Sequence, residues 1–184
     1  MGTSKRIGPA EIEAAITRLA RDIAVRHARK DVLLLGIANG GIELAQRLAR
    51  QLAHLGPRAK AGTLDVSFHR DDIGRHPIPK EFAPTHIPGD VHGATIVLVD
   101  SVLFSGRTIK AALDELFDHG RPAKVELAVL VDRGGRRLPL SADYVGFNLP
   151  IGDAEKVVVN LDPKKMKNDS IRIKPTSPAD RSPA

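Results

Sequence analysis

Residues 96–108 read IVLVDSVLFSGRT, and they are the most informative part of the chain for its fold class. Its first half is apolar on both faces, which is typical of a strand buried in a parallel sheet. Asp100 lies at the carboxyl end of that strand, where open α/β sheets bind their ligands. Residues 105–108, SGRT, then open a helix. The pattern predicts an α/β fold with a ligand site at this strand-to-helix turn.

The chemistry of the turn points to an anion next to a sugar. Gly106 lets the backbone approach a phosphate, the free N–H groups of the first helical turn point toward it, and Ser105 and Thr108 add hydroxyl donors. Asp100 would repel a phosphate, but it suits a ribose diol or a magnesium ion. The arrangement predicts a ribose 5-phosphate ligand. A glycine turn alone would fit an ordinary capped turn equally well.

Strands and helices alternate along much of the chain. Apolar periodicity predicts helices at residues 9–30, 42–54 and 107–119, and strands at residues 32–37, 62–68, 94–100, 124–132, 142–147 and 156–160. This alternation predicts a three-layer α/β fold with a mainly parallel central sheet flanked by helices.

Three segments fall outside that alternation. Residues 69–92 contain four prolines and no periodicity, so we expect a mobile lid loop. The short strands within residues 133–160 are surrounded by glycine and proline and predict a small hood. Residues 164–184 are basic and rich in proline and serine, which predicts a disordered tail after a domain of residues 1–163.

Composition narrows the class of protein. The chain has 184 residues, no cysteine and a net charge of +6, which fits one domain without disulfides, thiolate zinc sites or a cysteine nucleophile. No apolar stretch reaches the roughly 18 to 20 residues of a membrane span, and we expect a soluble cytoplasmic protein. Residues 1–30 carry seven basic and three acidic side chains, and residues 164–184 carry six and two. The excess positive charge therefore lies at the two ends of the sequence. This distribution does not indicate a continuous basic surface for binding nucleic acid.

The string at residues 96–108 closely resembles the phosphoribosyl pyrophosphate motif of type I phosphoribosyltransferases. Among them it is most similar to the PyrR family, pyrimidine-operon attenuation proteins with uracil phosphoribosyltransferase activity, whose usual form is VDDVLYTGRT. The resemblance continues through residues 65–73 (DVSFHRDDI), 120–134 (GRPAKVELAVLVDRG) and 138–150 (LPLSADYVGFNLP). It covers much of residues 11–160.

This resemblance implies the type I phosphoribosyltransferase fold and the formation of UMP and pyrophosphate from uracil and phosphoribosyl pyrophosphate, with Mg²⁺. Asp100 would be a catalytic residue and the metal ligand, with Arg70 as the second catalytic residue. The substrate-binding loop would comprise Asp100, Ser101, Val102, Leu103, Phe104, Ser105, Gly106, Arg107 and Thr108. Asn39, Gly40, Gly41 and Arg70 would hold pyrophosphate, and Val131, Asp132, Arg133 and Val157 would lie near the base. Family members commonly form dimers and tetramers, so we expect a homo-oligomer.

One position bears on the choice of base. Purine members of the superfamily usually place an aspartate, which can serve the purine N7, where this chain has Phe104. Phe104 cannot accept a proton, which favours a pyrimidine.

The chain departs from the family that it resembles at two places in the expected active site. Ser101 replaces the second acidic residue of the motif, and Asn39, Gly40 and Gly41 stand where Thr-Arg-Gly is common. A charge-assisted contact is worth roughly 1.5 to 3 kcal/mol, so we expect weakened activity.

The resemblance also implies contact with the pyr leader RNA through Thr17, Arg18, Arg21 and Arg136. Gly135, Ser141 and Phe147 replace residues of the family's basic rim, which would lower both the affinity and its salt dependence. Solvent exposure explains the helix arginines about as well. Two alternatives therefore stay open: an RNA-binding regulator that senses UMP or phosphoribosyl pyrophosphate with little catalysis, and a phosphoribosyltransferase for another base.

Overall fold

The computed structural model describes residues 6–28, 30–69 and 83–176. In chain order its elements are β1 (Arg6–Ile7), α1 (Pro9–Arg26), β2 (Asp31–Ile37), α2 (Ile42–Leu52), β3 (Arg58–Leu64), β4 (Thr95–Leu103), α3 (Arg107–Asp118), β5 (Lys124–Asp132), β6 (Tyr144–Asn148), β7 (Glu155–Asn160), a short 3-10 helix (Met166–Asn168) and β8 (Ser170–Pro175). Five strands form a parallel sheet in the order β3-β2-β4-β5-β6. The expected mainly parallel α/β fold is confirmed.

Helices cover both faces of this sheet because neighbouring strand residues point to opposite sides. On one face Leu34 and Val97 pack with α1 and α2, and on the other Leu35 and Leu98 pack with α3. The carboxyl ends of β2, β4 and β5 thus share one edge of the sheet, and the candidate site lies there.

The first helix follows its amphipathic pattern. Pro9 opens α1, and the Glu11 carboxylate accepts the Gly8 N–H at 3.0 Å, which caps the helix start. Ile16 and Leu19 are fully buried. The helix ends at Arg26, four residues earlier than its sequence pattern predicts.

The hood is a second sheet of three antiparallel strands in the order β1-β8-β7. The expectation that residues 133–160 form it is correct only for β7. The other strand predicted there, β6, is an edge strand of the main sheet and runs parallel to β5. The remaining two hood strands lie at opposite ends of the described chain.

The prediction of a disordered tail from residue 164, and with it the domain end at 163, is wrong for the 3-10 helix and β8. Asp169 is buried, and both of its carboxylate oxygens accept bonds from the Arg47 guanidinium of α2. Asp169 also accepts the Asp162 N–H at 2.8 Å, and Ile171 packs into the core. These tertiary contacts hold a polar segment that composition alone marks as unfolded. Residues 177–184 lie outside the described residues.

Two further boundaries differ from the sequence prediction. The third strand runs over residues 58–64, not 62–68, because its pairing with β2 begins at Arg58. Of the predicted lid, residues 70–82 lie outside the described residues. The rest returns along the sheet, where His86 and Thr63 exchange main-chain hydrogen bonds of 2.8 and 2.9 Å. Among the described residues, no helix has the length and apolar character to cross a membrane.

Candidate active site

The central carboxylate of the site lies within β4, which extends three residues beyond its predicted end. Asp100 is buried, and one carboxylate oxygen accepts the Ser101 N–H at 2.7 Å. Burial raises the pKa of Asp100 to about 7, because hydrogen bonds from the Ser101 and Val102 amides offset only part of the desolvation. Across the described ranges, no lysine or arginine forms an ion pair with Asp100. A bound cation, or a pair of hydroxyl groups that donate hydrogen bonds, would stabilise the charged form of this carboxylate.

The loop after β4 turns sharply into α3. Gly106 caps the helix at φ +93°, a left-handed conformation that glycine adopts without strain. Its backbone lies close to the segment opposite, since a side-chain carbon there would be 3.2 Å from the Leu140 side chain. The Ser105 hydroxyl oxygen accepts the Arg107 N–H at 3.3 Å, so its own proton can be donated elsewhere. Arg107 and Thr108 are exposed at the helix start.

Residues 133–138 bind the carbonyl groups of this loop. The Leu103 carbonyl accepts the Arg133 N–H at 3.1 Å, and the Phe104 carbonyl accepts the Arg136 guanidinium at 2.7 Å. The Ser105 carbonyl accepts N–H groups of residues 137 and 138 at 3.0 and 3.1 Å. In a trans peptide the C=O and the next N–H point in opposite directions. The amides of residues 104–106 therefore face away from this segment, as an anion site requires.

Arg133 and Phe104 form one wall of the site. The Arg133 guanidinium lies over the Phe104 ring, 3.9 Å from its centroid. Gly135 packs against the same ring, where a side-chain carbon would be 2.6 Å from the nearest ring atom. A bulkier residue at position 135 would displace Phe104, so the glycine and the phenylalanine depend on each other.

Arg133 has one donor without a partner. The side chain is buried, Nη2 donates to the Gly152 carbonyl at 3.1 Å, and burial lowers the pKa of the guanidinium. Its Nε is the one buried side-chain nitrogen or oxygen in the described part of the chain that lacks a hydrogen bond. Most buried polar groups in proteins have a hydrogen-bond partner, so this donor is an exception that a bound acceptor would explain.

The turn after β2 lies directly against the Asp100 loop. A side-chain carbon at Gly40 would be 2.5 Å from the Ser101 hydroxyl oxygen and 3.6 Å from an Asp100 carboxylate oxygen. Gly41 is required for packing, because a side-chain carbon there would be 2.0 Å from the Val99 carbonyl oxygen. The Gly41 amide donates to the Ile37 carbonyl at 2.8 Å and is not available to a ligand. Asn39 and Gly40 remain the candidates for pyrophosphate contact.

The four predicted base residues fall into two groups. Asp132 and Arg133 lie at the carboxyl end of β5 beside the loop, and Asp132 accepts the Gly134 N–H at 2.9 Å. The Val131 side chain is buried in the core, so only its backbone can contact a base. Val157 lies in the hood and packs against that core. Arg70, predicted for catalysis and for pyrophosphate, lies outside the described residues.

Three of the four predicted RNA contacts lie on α1, and the fourth, Arg136, lies at the loop after β4. Thr17 is half-buried on α1, whereas Arg18 and Arg21 are exposed there. Arg18 also donates to the Gly146 carbonyl of β6. Arg136 lies at the loop, where it pairs with Asp132 and donates to the Phe104 carbonyl.

The segment that binds the loop carbonyls was not identified from the sequence. Residues 133–140 carry the RGGRRLPL pattern of a basic rim, which indicates a surface role. The left-handed glycines at 134 and 135, with φ of +73° and +75°, were the available signal for a tight turn.

A single carboxylate fits a metal ion that arrives with its substrate. Mg²⁺ usually binds one or two carboxylates together with substrate phosphates and waters. Buried Asp100 supplies one such ligand, and Ser101 supplies a neutral oxygen where a second carboxylate is common. When bound, the ion would neutralise part of the charge of a pyrophosphate group.

Comparison with known proteins gives one consistent result. The sequence profile of the phosphoribosyl transferase domain matches residues 6–164. The bifunctional protein PyrR of Streptomyces coelicolor is 53% identical over 157 residues, which cover 84% of this chain and 80% of that protein. The bifunctional protein PyrR of Roseiflexus sp. (strain RS-1) is 48% identical over 164 residues, which cover 88% and 89%.

Solved structures share the fold at lower identity. The hypoxanthine phosphoribosyltransferase of Trypanosoma cruzi superposes with a TM-score of 0.67 at 22% identity, covering 92% of this chain and 95% of that one. A hypoxanthine-guanine phosphoribosyltransferase from Bacillus anthracis gives 0.63 at 20% identity, covering 81% and 85%. These likenesses concern the fold alone and carry no information on the base.

Proposed function

This chain belongs to the PyrR family of phosphoribosyltransferases, and we propose that it is a uracil phosphoribosyltransferase that uses phosphoribosyl pyrophosphate and Mg²⁺. In this reaction the bond from ribosyl C1 to the pyrophosphate oxygen breaks and a bond from C1 to uracil N1 forms. The N1 proton leaves uracil, and the products are UMP and pyrophosphate. The single observation that carries the proposal is the pairing of buried Asp100 with the outward-facing amides of residues 104–106.

Asp100 and the loop would bind opposite ends of the ribose phosphate. The carboxylate accepts hydrogen bonds from the ribose hydroxyls or binds the metal, while the loop amides and the Ser105 hydroxyl hold the 5-phosphate. Because these groups are fixed before substrate arrives, catalysis relies on positioning and charge stabilisation as C1 gains positive charge. The Asn39–Gly40 turn lies next to Ser101, which supports a role in holding the leaving pyrophosphate.

The base would lie beside Arg133. The unpartnered Nε of Arg133 can donate to a uracil carbonyl, and the Phe104 ring fixes the guanidinium. Phe104 offers no carboxylate to a purine N7, which supports a pyrimidine over hypoxanthine or guanine.

Steady-state formation of UMP with Mg²⁺ tests the enzymatic proposal. We expect turnover with uracil and none above background with hypoxanthine or guanine. Nucleotide binding without turnover would contradict it and favour a sensor of UMP or phosphoribosyl pyrophosphate. Turnover with a purine would instead favour a phosphoribosyltransferase for another base.

A second activity, binding of the pyr leader RNA, is supported by exposed arginines on α1. Arg21 and Arg18 lie on its exposed face, and α1 packs beside the edge strand β6. We expect Arg21→Gln to weaken binding to a pyr leader hairpin and to reduce its salt slope by roughly 1. Arg58→Gln is the matched control, because Arg58 is also exposed but lies on β3 at the opposite edge of the sheet. Binding no tighter than to an unrelated hairpin would contradict this activity.

Both proposed activities use cytoplasmic partners, so we place the protein in the cytoplasm. A homo-oligomer is part of the same proposal and is tested by sedimentation velocity of the full chain.

A further inference from the structure

A cluster of metal-binding side chain types lies outside the candidate active site and joins the loop after β3 to α3. The His69 Nε2 atom is 3.1 Å from a Glu115 carboxylate oxygen and 3.3 Å from an Asp118 carboxylate oxygen. Glu115 and Asp118 are three residues apart on α3 and so share one face of the helix. Each of these three residues offers one atom that could bind a metal ion, and these three atoms lie within 4.8 Å of one another.

Hydrogen bonds and ion pairs among His69, Glu115 and Asp118 do not satisfy all three side chains. An imidazole Nε2 carries at most one proton, and that proton cannot make good hydrogen bonds to two carboxylate oxygens at once. The two carboxylates also repel each other. Within the part of the chain that the structure describes, histidines alone form ion pairs with Glu115 and Asp118. A cation that bound all three donors would remove both problems.

The spacing of the donors suits a small transition-metal ion. Tetrahedral zinc sites have metal–ligand bonds of about 2.0 to 2.1 Å, which place neighbouring ligand atoms about 3.3 Å apart. The two separations from His69 Nε2, 3.1 and 3.3 Å, are close to that value. The third separation, between the Glu115 and Asp118 oxygens, is at most 4.8 Å, so all three atoms could reach a single ion.

A second and independent feature is the way Glu115 is held. Its other carboxylate oxygen accepts the Thr85 hydroxyl at 2.7 Å and lies 3.1 Å from the His119 Nε2. These contacts leave the second oxygen directed at His69. Carboxylates that bind metals are commonly oriented by such outer hydrogen bonds.

We infer that His69, Glu115 and Asp118 form a binding site for a divalent transition-metal ion, with Zn²⁺ the best match. The imidazole nitrogen selects such an ion over Mg²⁺, and water would complete the coordination. Asp118 is 69% exposed, which gives the ion a path from solvent. The ion would connect the loop after β3 to α3 through His69. Because Thr85 donates to Glu115, the segment before β4 would also be held against α3.

Zn²⁺ titration of the full chain by isothermal calorimetry at pH 7 tests this site. We expect one Zn²⁺ per chain, with affinity reduced at least tenfold in His69→Gln and in Asp118→Asn. His54→Gln is the matched control, because His54 is exposed and outside the cluster. The assay needs no catalysis, so its failure would leave the proposed function intact.

Co²⁺ provides a readout on the unmodified chain that does not depend on the folding of variants. We expect the strong visible absorption bands of four-coordinate Co²⁺ and their loss on addition of Zn²⁺, with no effect of excess Mg²⁺. Weak bands of six-coordinate Co²⁺ would overturn the inference. Equal Zn²⁺ affinity of the unmodified chain and a folded His69→Gln/Asp118→Asn double variant would also overturn it.

Discussion

A side-chain carbon at Gly40 would lie 2.5 Å from the hydroxyl oxygen of Ser101. The turn proposed to hold pyrophosphate and the loop proposed to hold ribose therefore touch at these two residues. Both positions depart from the usual family sequence, which has arginine at the first and an acidic residue at the second. One positive and one negative charge are thus replaced together where the two halves of the substrate would meet.

This contact predicts coupled effects of substitution. We expect Gly40→Ala to raise the KM for phosphoribosyl pyrophosphate several-fold, because the new methyl group displaces the Ser101 hydroxyl. Ser101→Ala removes that oxygen, so the double variant should have a KM within about twofold of Ser101→Ala alone. A double-mutant cycle measures this coupling. Independent, additive effects on KM would show that the two residues do not touch.

The raised pKa of Asp100 predicts how stability varies with pH. Its pKa is about 7 in the folded chain and about 3.9 in an unfolded one, so the folded state holds the proton more tightly. The contribution of this group to stability therefore falls as pH rises from about 4 to 7 and stays low above 7. Asp100→Asn should raise the free energy of unfolding at pH 8 by roughly 1 to 4 kcal/mol and change it little at pH 4.

Urea unfolding at both pH values checks this, with exposed Asp153→Asn as the control. A loss of stability at pH 8 in Asp100→Asn would contradict the buried, unpaired charge.

The pKa of Glu126, near the amino end of β5, predicts the opposite dependence of stability on pH. Its carboxylate is 2.6 Å from the His27 Nε2 and accepts the Tyr144 hydroxyl at 2.7 Å, and it also pairs with Lys124 and Arg26. Although burial acts against ionisation, these partners lower its pKa to about 2. The stabilisation is present above about pH 4.5 and is lost as pH falls toward 2.

We expect Glu126→Gln to cost about 2 to 4 kcal/mol at pH 7 and much less near pH 2.5. Thermal unfolding at the two pH values measures the difference, and exposed Glu155→Gln serves as the control. A cost that does not change with pH would show that the charge of Glu126 is not responsible.

The unpartnered Nε of Arg133 predicts a selective effect on the base. Arg133→Met should raise the KM for uracil about tenfold or more, because a donor to a uracil carbonyl is lost. The KM for phosphoribosyl pyrophosphate should change less than threefold. Arg137→Met is the control, since the Arg137 side chain is 60% exposed. A rise in the second KM with uracil unaffected would move Arg133 out of the base site.

Local patterns were enough to predict the centre of the fold. Each of these features is a continuous stretch of sequence: the apolar runs of β2, β4 and β5, and the helix start at Gly106. The structure has each of them within a few residues of its predicted position. The sequence predicts β6 as part of the hood, because nothing in its five residues reveals that β5 is its neighbour. Strand β8 was missed because a buried Arg47–Asp169 pair, not apolar composition, holds the segment before it.

The parts of the site differ in how far apart their residues lie in the sequence. Asp100 and the loop to Thr108 form one string and were predicted as a unit. The contacts that orient the loop come from residues 133–138, about thirty positions later, and the unpaired Arg133 Nε depends on the whole surrounding structure. Such features follow only from tertiary packing.

The role of Asp100 in substrate binding is tested by the affinity of Asp100→Asn for phosphoribosyl pyrophosphate, measured by calorimetry with Mg²⁺ at pH 8. Asp100 is proposed to bind the ribose hydroxyls or the metal, so its loss should weaken binding about 10- to 100-fold, the equivalent of one charge-assisted contact. Asp153→Asn should bind as the unmodified chain does. An affinity of Asp100→Asn within twofold of the unmodified chain would show that Asp100 does not bind the ribose or the metal.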